Sequence, residues 1–150
     1  YLDAVSIRLS GLPEPQLAEV FELLDEQAEI AVTDEPENLK LRIAAARAYR
    51  RAAEAIPARH DELLARARFH SDRALDIGPH TFRALEDQKD QAWLERDLEA
   101  LREAVRIWKT YNPIMPPLMV DRFDGTLQRL EDEVAGIQPP DDARDGSPAR

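Results

Sequence analysis

Over most of the chain the apolar residues recur three and four positions apart, and proline or glycine stands at nearly every place where that rhythm lapses. A period near 3.6 gathers such residues on one stripe of a helix, whereas a half-buried strand alternates at a period of two, a pattern nearly absent here. From Gln16 to about Thr33 the stripe is Leu17, Val20, Phe21, Leu24, Ala28, Ala31 and Val32. Asp34-Glu35-Pro36 breaks it, and Leu39, Ile43, Ala46, Tyr49, Ala53 and Ile56 restart it until Pro57. A third helix is predicted from about Arg59 to Ile77, with Leu63, Leu64, Ala67, Ser71, Ala74 and Ile77 inward and Gly78-Pro79 as its stop. After a short segment around Phe82 and Leu85, one long pattern is predicted from near Gln88 to Tyr111 before Asn112-Pro113. It carries two apolar lines, Leu94, Leu98, Leu101, Val105 and Trp108 on one and Trp93, Ala100, Ala104, Ile107 and Tyr111 on the other, so this helix is expected to meet two partners. Met119, Phe123, Leu127, Leu130 and Val134 make the last amphipathic helix, closed at Gly136.

Short connections make consecutive helices antiparallel neighbours, and helices with two apolar faces stack in layers. The expected fold is therefore all-α: antiparallel helical hairpins packed as a short repeat-like solenoid or bundle of about five helices. Residues 1–137 are read as a single helical domain, its first ten residues being either a short helix or an extended arm. Residues 138–150, rich in Pro, Asp and Gly, are read as a disordered acidic tail. With 43% hydrophobic residues in 150, the chain has enough apolar material for a core. Abundant alanine and only 6% aromatic residues favour close helix packing over a sandwich.

A formal charge of -10 repels phosphate backbones and anionic membrane surfaces, and no basic patch is evident along the sequence, so no nucleic-acid partner is expected. Basic residues alternate with acids, as in Glu99 with Arg102 and Glu103 with Arg106. No apolar run approaches the roughly 20 residues of a membrane span, so direct membrane insertion is not expected. The chain has no cysteine, hence no disulfide and no thiolate chemistry, which leaves its compartment open.

The search for chemistry returns no catalytic residue, no metal ligand and no cofactor. His60, His70 and His80 are ten residues apart, about 15 Å of rise along one helix, too far to share a metal. Glu19, Glu22, Glu26 and Glu29 form an acidic ridge, and Glu95, Glu99 and Glu103 a second, both read as solvated helix faces. Asp121-Arg122-Phe123-Asp124-Gly125 echoes a calcium loop faintly, but the apolar phase of Met119, Phe123 and Leu127 runs through it, which predicts helix. Phosphate-binding glycine loops, a Gly-x-Ser-x-Gly elbow and a His-Glu-x-x-His helix are missing. Aromatic residues at binding hot spots leave Tyr49, Trp93, Trp108 and Tyr111 as candidates to line a partner-binding groove.

Ala31 followed by Pro36, Ala46 with Tyr49, and Ala67, Ala74 and Leu75 before Pro79 resemble the small residues, aromatic and terminal proline of tetratricopeptide units. The resemblance covers roughly residues 24–79, and an insertion of about nine residues lengthens both helices of the hairpin relative to the 34-residue unit. An elongated hairpin of this kind, with Ala65-Arg66-Ala67-Arg68 through Ala74-Leu75-Asp76-Ile77, is similar to the T component that accompanies tripartite ATP-independent periplasmic transporters. That resemblance implies a periplasmic binding scaffold assembling as a ring-like trimer; without it the cytoplasm is the default. The expected function is a non-enzymatic interaction or assembly scaffold whose helical groove binds a peptide, a partner protein or a second copy of itself. The alternative is a small-ligand or metal-binding helical bundle.

Overall fold

A computed structural model describes residues 12–114 and 116–136, and among them the chain is all-helical with no strand. These residues form six α-helices, α1 (Glu14–Asp34), α2 (Leu39–Ala55), α3 (His60–Ile77), α4 (Phe82–Glu95), α5 (Leu98–Tyr111) and α6 (Pro117–Val134), and a 3-10 turn at Pro57–Arg59. The expectations for residues 1–10 and for the 138–150 tail lie outside the described residues.

The boundaries follow local chemistry. Asn38 caps α2, its side-chain oxygen accepting from the backbone N–H of Lys40 and Leu41, and Pro57 ends that helix by restricting Ile56. Pro15 and Pro117 sit at helix starts, where the missing N–H costs nothing. Thr81 caps α4 through the N–H of Ala84, and its hydroxyl also donates to the carbonyl of Gly78. A Cβ at Gly78 would meet that threonine side chain at 2.9 Å, so the tight α3–α4 turn needs a glycine for room.

The expected long helix over 88–111 is two helices, and the expected count of about five becomes six. The break lies at Arg96, the one described non-glycine residue with positive φ, at 57°. There the N–H of Asp97 bonds the Ala92 carbonyl at 2.9 Å, closing α4, and the Asp97 side chain accepts from Ala100 N–H, opening α5. The apolar spacing carried no warning because it is preserved across the break: Leu94 packs with the first three helices, while Leu98 and Leu101 face the last three. Arg96 is an unusual residue for a left-handed position. Its guanidinium lies over the Trp93 ring, 4.6 Å from its centroid, donates to the Trp93 carbonyl and pairs with Glu133, contacts that offset the strain.

Two apolar clusters result. In the first, Phe21, Leu24 and Ala28 of α1 pack on Ala45, Ala48, Tyr49 and Ala52 of α2 and on Leu63, Leu64 and Ala67 of α3. In the second, Leu85 and Ala92 of α4 meet Leu101, Val105 and Trp108 of α5 and Phe123 and Leu130 of α6, with the Trp108 and Phe123 rings stacked at 3.9 Å. The small side chains of α2 and α3 let these two helices run close along more of their length than any other pair among the described residues. Successive helices run antiparallel: Ser71 of α3 reaches Asp87 of α4, while Arg68, earlier in α3, reaches Glu95, later in α4. In the same way Arg102 and Lys109 of α5 pair with Glu131 and Asp124 of α6. Among the described residues, α2 also approaches α4 and α4 approaches α6, backbone to backbone, whereas α1 and α3, or α3 and α5, do not.

Candidate functional site

The aromatic candidates fall in different places. Tyr49 belongs to the first cluster and is fully buried; Trp108, 1% exposed, belongs to the second; Trp93 is half-buried beside Arg96 and Arg129. Tyr111 at the end of α5 is 53% exposed and stacks on His80 at 3.6 Å. The four therefore do not share a groove. The three histidines are equally dispersed: the His60 ring nitrogen meets the Ala53 carbonyl, His70 lies between α2 and α3, and His80 is in the α3–α4 turn. Among the described residues no group of three metal-ligating side chains converges.

Polar and charged side chains cluster at two levels, one between α2, α3 and α4 and one between α1, α2 and α3. At the first, Asp87 accepts from the Arg50 guanidinium and, at 2.6 Å, from the Ser71 hydroxyl. Arg50 also donates to Gln91, which donates in turn to the Leu64 carbonyl and to Glu95, and Glu95 receives Arg68. Both oxygens of Asp87 are thus engaged by internal donors. At the second level, Tyr49 donates to Asp25, Arg66 pairs with the same carboxylate, and the buried His70 ring stacks parallel to Tyr49 while contacting an Arg42 nitrogen at 3.1 Å. Burial, reinforced by Arg42 and Arg66, pushes His70 down to about 4, and burial with the neighbouring Asp25 pushes the Tyr49 phenol above its ordinary value. Both groups are neutral at pH 7, so neither is tuned for proton transfer there. Beside this level Phe69 stands 63% exposed over a shallow hollow of about 400 Å³.

A hollow of about 730 Å³ is lined by residues of α2, α4 and α6. Its floor is Ile43, Ala44 and Phe82. Around it stand four cations from three helices: Lys40 and Arg47 of α2, Arg83 of α4 and Arg122 of α6. Three acids line it too, each with a partner: Asp87 with Arg50, Glu86 with Arg122 at 3.0 Å, and Asp90 with Lys89 at 3.2 Å. Lys40 and Arg83 are exposed and make no ion pair among the described residues. A chain of net charge -10 thus sets cations from three helices around one hollow, although its sequence does hold an acid-free stretch, residues 38–53, with Lys40, Arg42, Arg47, Arg50 and Arg51. Within that stretch the seven-residue step from Lys40 to Arg47 sets both on one face of α2. Arg83 and Arg122 join only through the tertiary fold.

The chain matches no protein-family model, no curated protein and no solved structure. Among the described residues no helix is long and apolar enough to cross a membrane.

Proposed function

We propose that this chain is a non-enzymatic interaction scaffold, a short repeat-like solenoid of helical hairpins whose inner face, formed by α2, α4 and α6, receives a peptide or a partner protein. The observation that carries the reading is the packing order. Backbone to backbone, α4 approaches both α2 and α6, whereas no such approach joins α1 with α3 or α3 with α5 among the described residues. Hairpins stacked in that way curve, with α2, α4 and α6 on the concave side, and the hollow of about 730 Å³ is lined by these helices. The resemblance to tetratricopeptide units, and through them to the transporter T component, belongs to the same proposal. It is supported by Ala46, Tyr49, Ala67 and Ala74, all fully buried between helices where such units pack small residues and an aromatic. The buried ionisable groups agree with a structural role, since their partners are internal.

Ala44→Trp tests the reading, because a bulky ring at that half-buried position fills the hollow. A peptide-display selection on the native chain should enrich sequences that no longer bind the Ala44→Trp variant. A selection that enriches nothing, or enriches sequences indifferent to the substitution, rejects the inner face as the docking surface. Light scattering across protein concentration identifies the occupant: a closed oligomer disrupted by Ala44→Trp assigns the face to a second copy, and a monomer assigns it to another protein.

A further inference from the structure

The pairing of charges around the α2–α4–α6 hollow leaves a surplus that a protein–protein groove does not require. Asp87, Glu86 and Asp90 are each held by a cation, and once those pairs are counted Lys40 and Arg83 line the space with no carboxylate partner among the described residues. The same hollow is lined by three apolar residues, Ile43, Ala44 and the aromatic Phe82. From these features we infer that the hollow is a binding site for a small phosphate-bearing molecule, a phosphomonoester whose apolar or ring portion lies on Phe82, Ile43 and Ala44.

Three physical arguments select that ligand. The two surplus cations match the charge of about -1.5 to -2 that a phosphomonoester carries near neutral pH, while a lone carboxylate would leave one of them unmatched. Guanidinium groups such as that of Arg83 present planar forks that fit phosphate oxygens two at a time, and Lys40 supplies a point charge beside it. The volume of about 730 Å³ falls within the range of small-ligand pockets, roughly 300–1,000 Å³. An acidic peptide fits less well. Its charges would extend beyond Lys40 and Arg83 towards Glu86, Asp90 and a molecule of net charge -10, whereas a compact dianion concentrates its charge on the two cations. The inference goes beyond the scaffold reading, since such a ligand binds whether or not a partner covers the inner face.

Calorimetric titration of the full chain with phenyl phosphate, inorganic phosphate and an acidic tetrapeptide tests it. Phenyl phosphate should bind saturably and more tightly than inorganic phosphate, because only the former covers the apolar floor. Lys40→Glu and Arg83→Glu, at exposed positions that leave the fold intact, should each weaken it at least about tenfold, the worth of one charge-assisted contact. Arg106→Glu, on the exposed face of α5, should not. Ala44→Trp should cost phenyl phosphate more than inorganic phosphate. No heat from either phosphate compound, or binding indifferent to Lys40→Glu and Arg83→Glu, overturns the assignment. Tighter binding of the tetrapeptide than of phenyl phosphate also overturns it, in favour of an acidic protein segment. None of these titrations involves a partner protein, so their failure leaves the peptide selection above standing, and the reverse.

Discussion

Replacing Asp87 by alanine leaves the Arg50 guanidinium buried without its counter-charge. The two side chains are 1% and 6% exposed, and the variant would also strip the Ser71 hydroxyl of its acceptor while leaving the bond from Arg50 to Gln91. Removing one partner of a buried ion pair costs about 3–5 kcal/mol, and an orphaned hydroxyl about 1 kcal/mol more. Asp87 also borders the large hollow, from which water can reach the freed guanidinium, so the lower end applies and the expected loss is about 3 kcal/mol. Against a typical domain stability of about 5–15 kcal/mol that is a large fraction, readable in urea denaturation followed by far-UV circular dichroism. Combining Asp87→Ala with Arg50→Met removes the orphaned charge, so the double variant should be more stable than Asp87→Ala alone. A loss below about 1 kcal/mol for Asp87→Ala, or a double variant equal to the sum of the single ones, would refute the assignment of a buried, mutually dependent pair.

Below its ordinary value of about 6.5, a histidine in the unfolded chain takes up a proton that His70, held to about 4, refuses in the native state. The unfolded state then binds more protons, so stability present above pH 6.5 should fall as pH drops towards 4 by at most about 1.4 kcal/mol per unit; His70→Gln should flatten that slope in denaturation series taken at each pH. Ala67→Leu puts a branched side chain into the fully buried α2–α3 contact and should cost about 1–3 kcal/mol, and an unchanged melting temperature would contradict the close approach of those helices. Arg96→Val places a β-branched residue at a left-handed position and Asp97→Ala removes a cap, so each should lower stability by about 1 kcal/mol or more in thermal melts. If both are neutral, α4 and α5 are a continuous helix.

The helices and their inward faces were legible wherever the stop carried its own chemistry. Pro36, Pro57 and Gly78-Pro79 fix the ends of α1, α2 and α3 close to the expected positions, and of the expected stripe, Leu63, Leu64, Ala67, Ser71 and Ala74 are buried while Ile77 at its end is half-buried. The junction at Arg96-Asp97 was not legible: neither glycine nor proline marks it, and the left-handed residue is sustained by tertiary contacts to Trp93 and Glu133. The ridge of Glu19, Glu22, Glu26 and Glu29 is exposed as expected, and Glu103 pairs with Arg106, but Arg102 reaches across to Glu131 rather than back to Glu99. The basic hollow was legible only in part. Lys40 and Arg47 belong to an acid-free stretch, residues 38–53, whose charge the overall balance of the chain concealed, while Arg83 and Arg122 lie on two further helices and join them only in the fold.

The buried polar layer and the hollow are parts of one arrangement. Alanine against alanine sets the distance between α2 and α3 but distinguishes poorly between registers, since sliding by a turn exchanges one small side chain for another among Ala45, Ala48 and Ala52. Arg50, Ser71, Asp87 and Gln91 satisfy one another in a single register only, because a shift of one turn separates donors from acceptors at about 5.4 Å. The same register places Lys40, Ile43 and Arg47 of α2 opposite Phe82, Arg83 and Glu86 of α4, so the layer that aligns the helices also shapes the hollow. Buried ionic groups act as register devices in some proteins and not in others, and the Arg50→Met, Asp87→Ala double variant discriminates here. If it stays folded but its amide NMR resonances broaden or double, the alanine contacts supply stability and the polar layer supplies uniqueness. If it stays sharp and native-like, the alanine packing and the second cluster suffice to align α2 with α4, and the pair is a cost of the fold rather than its guide.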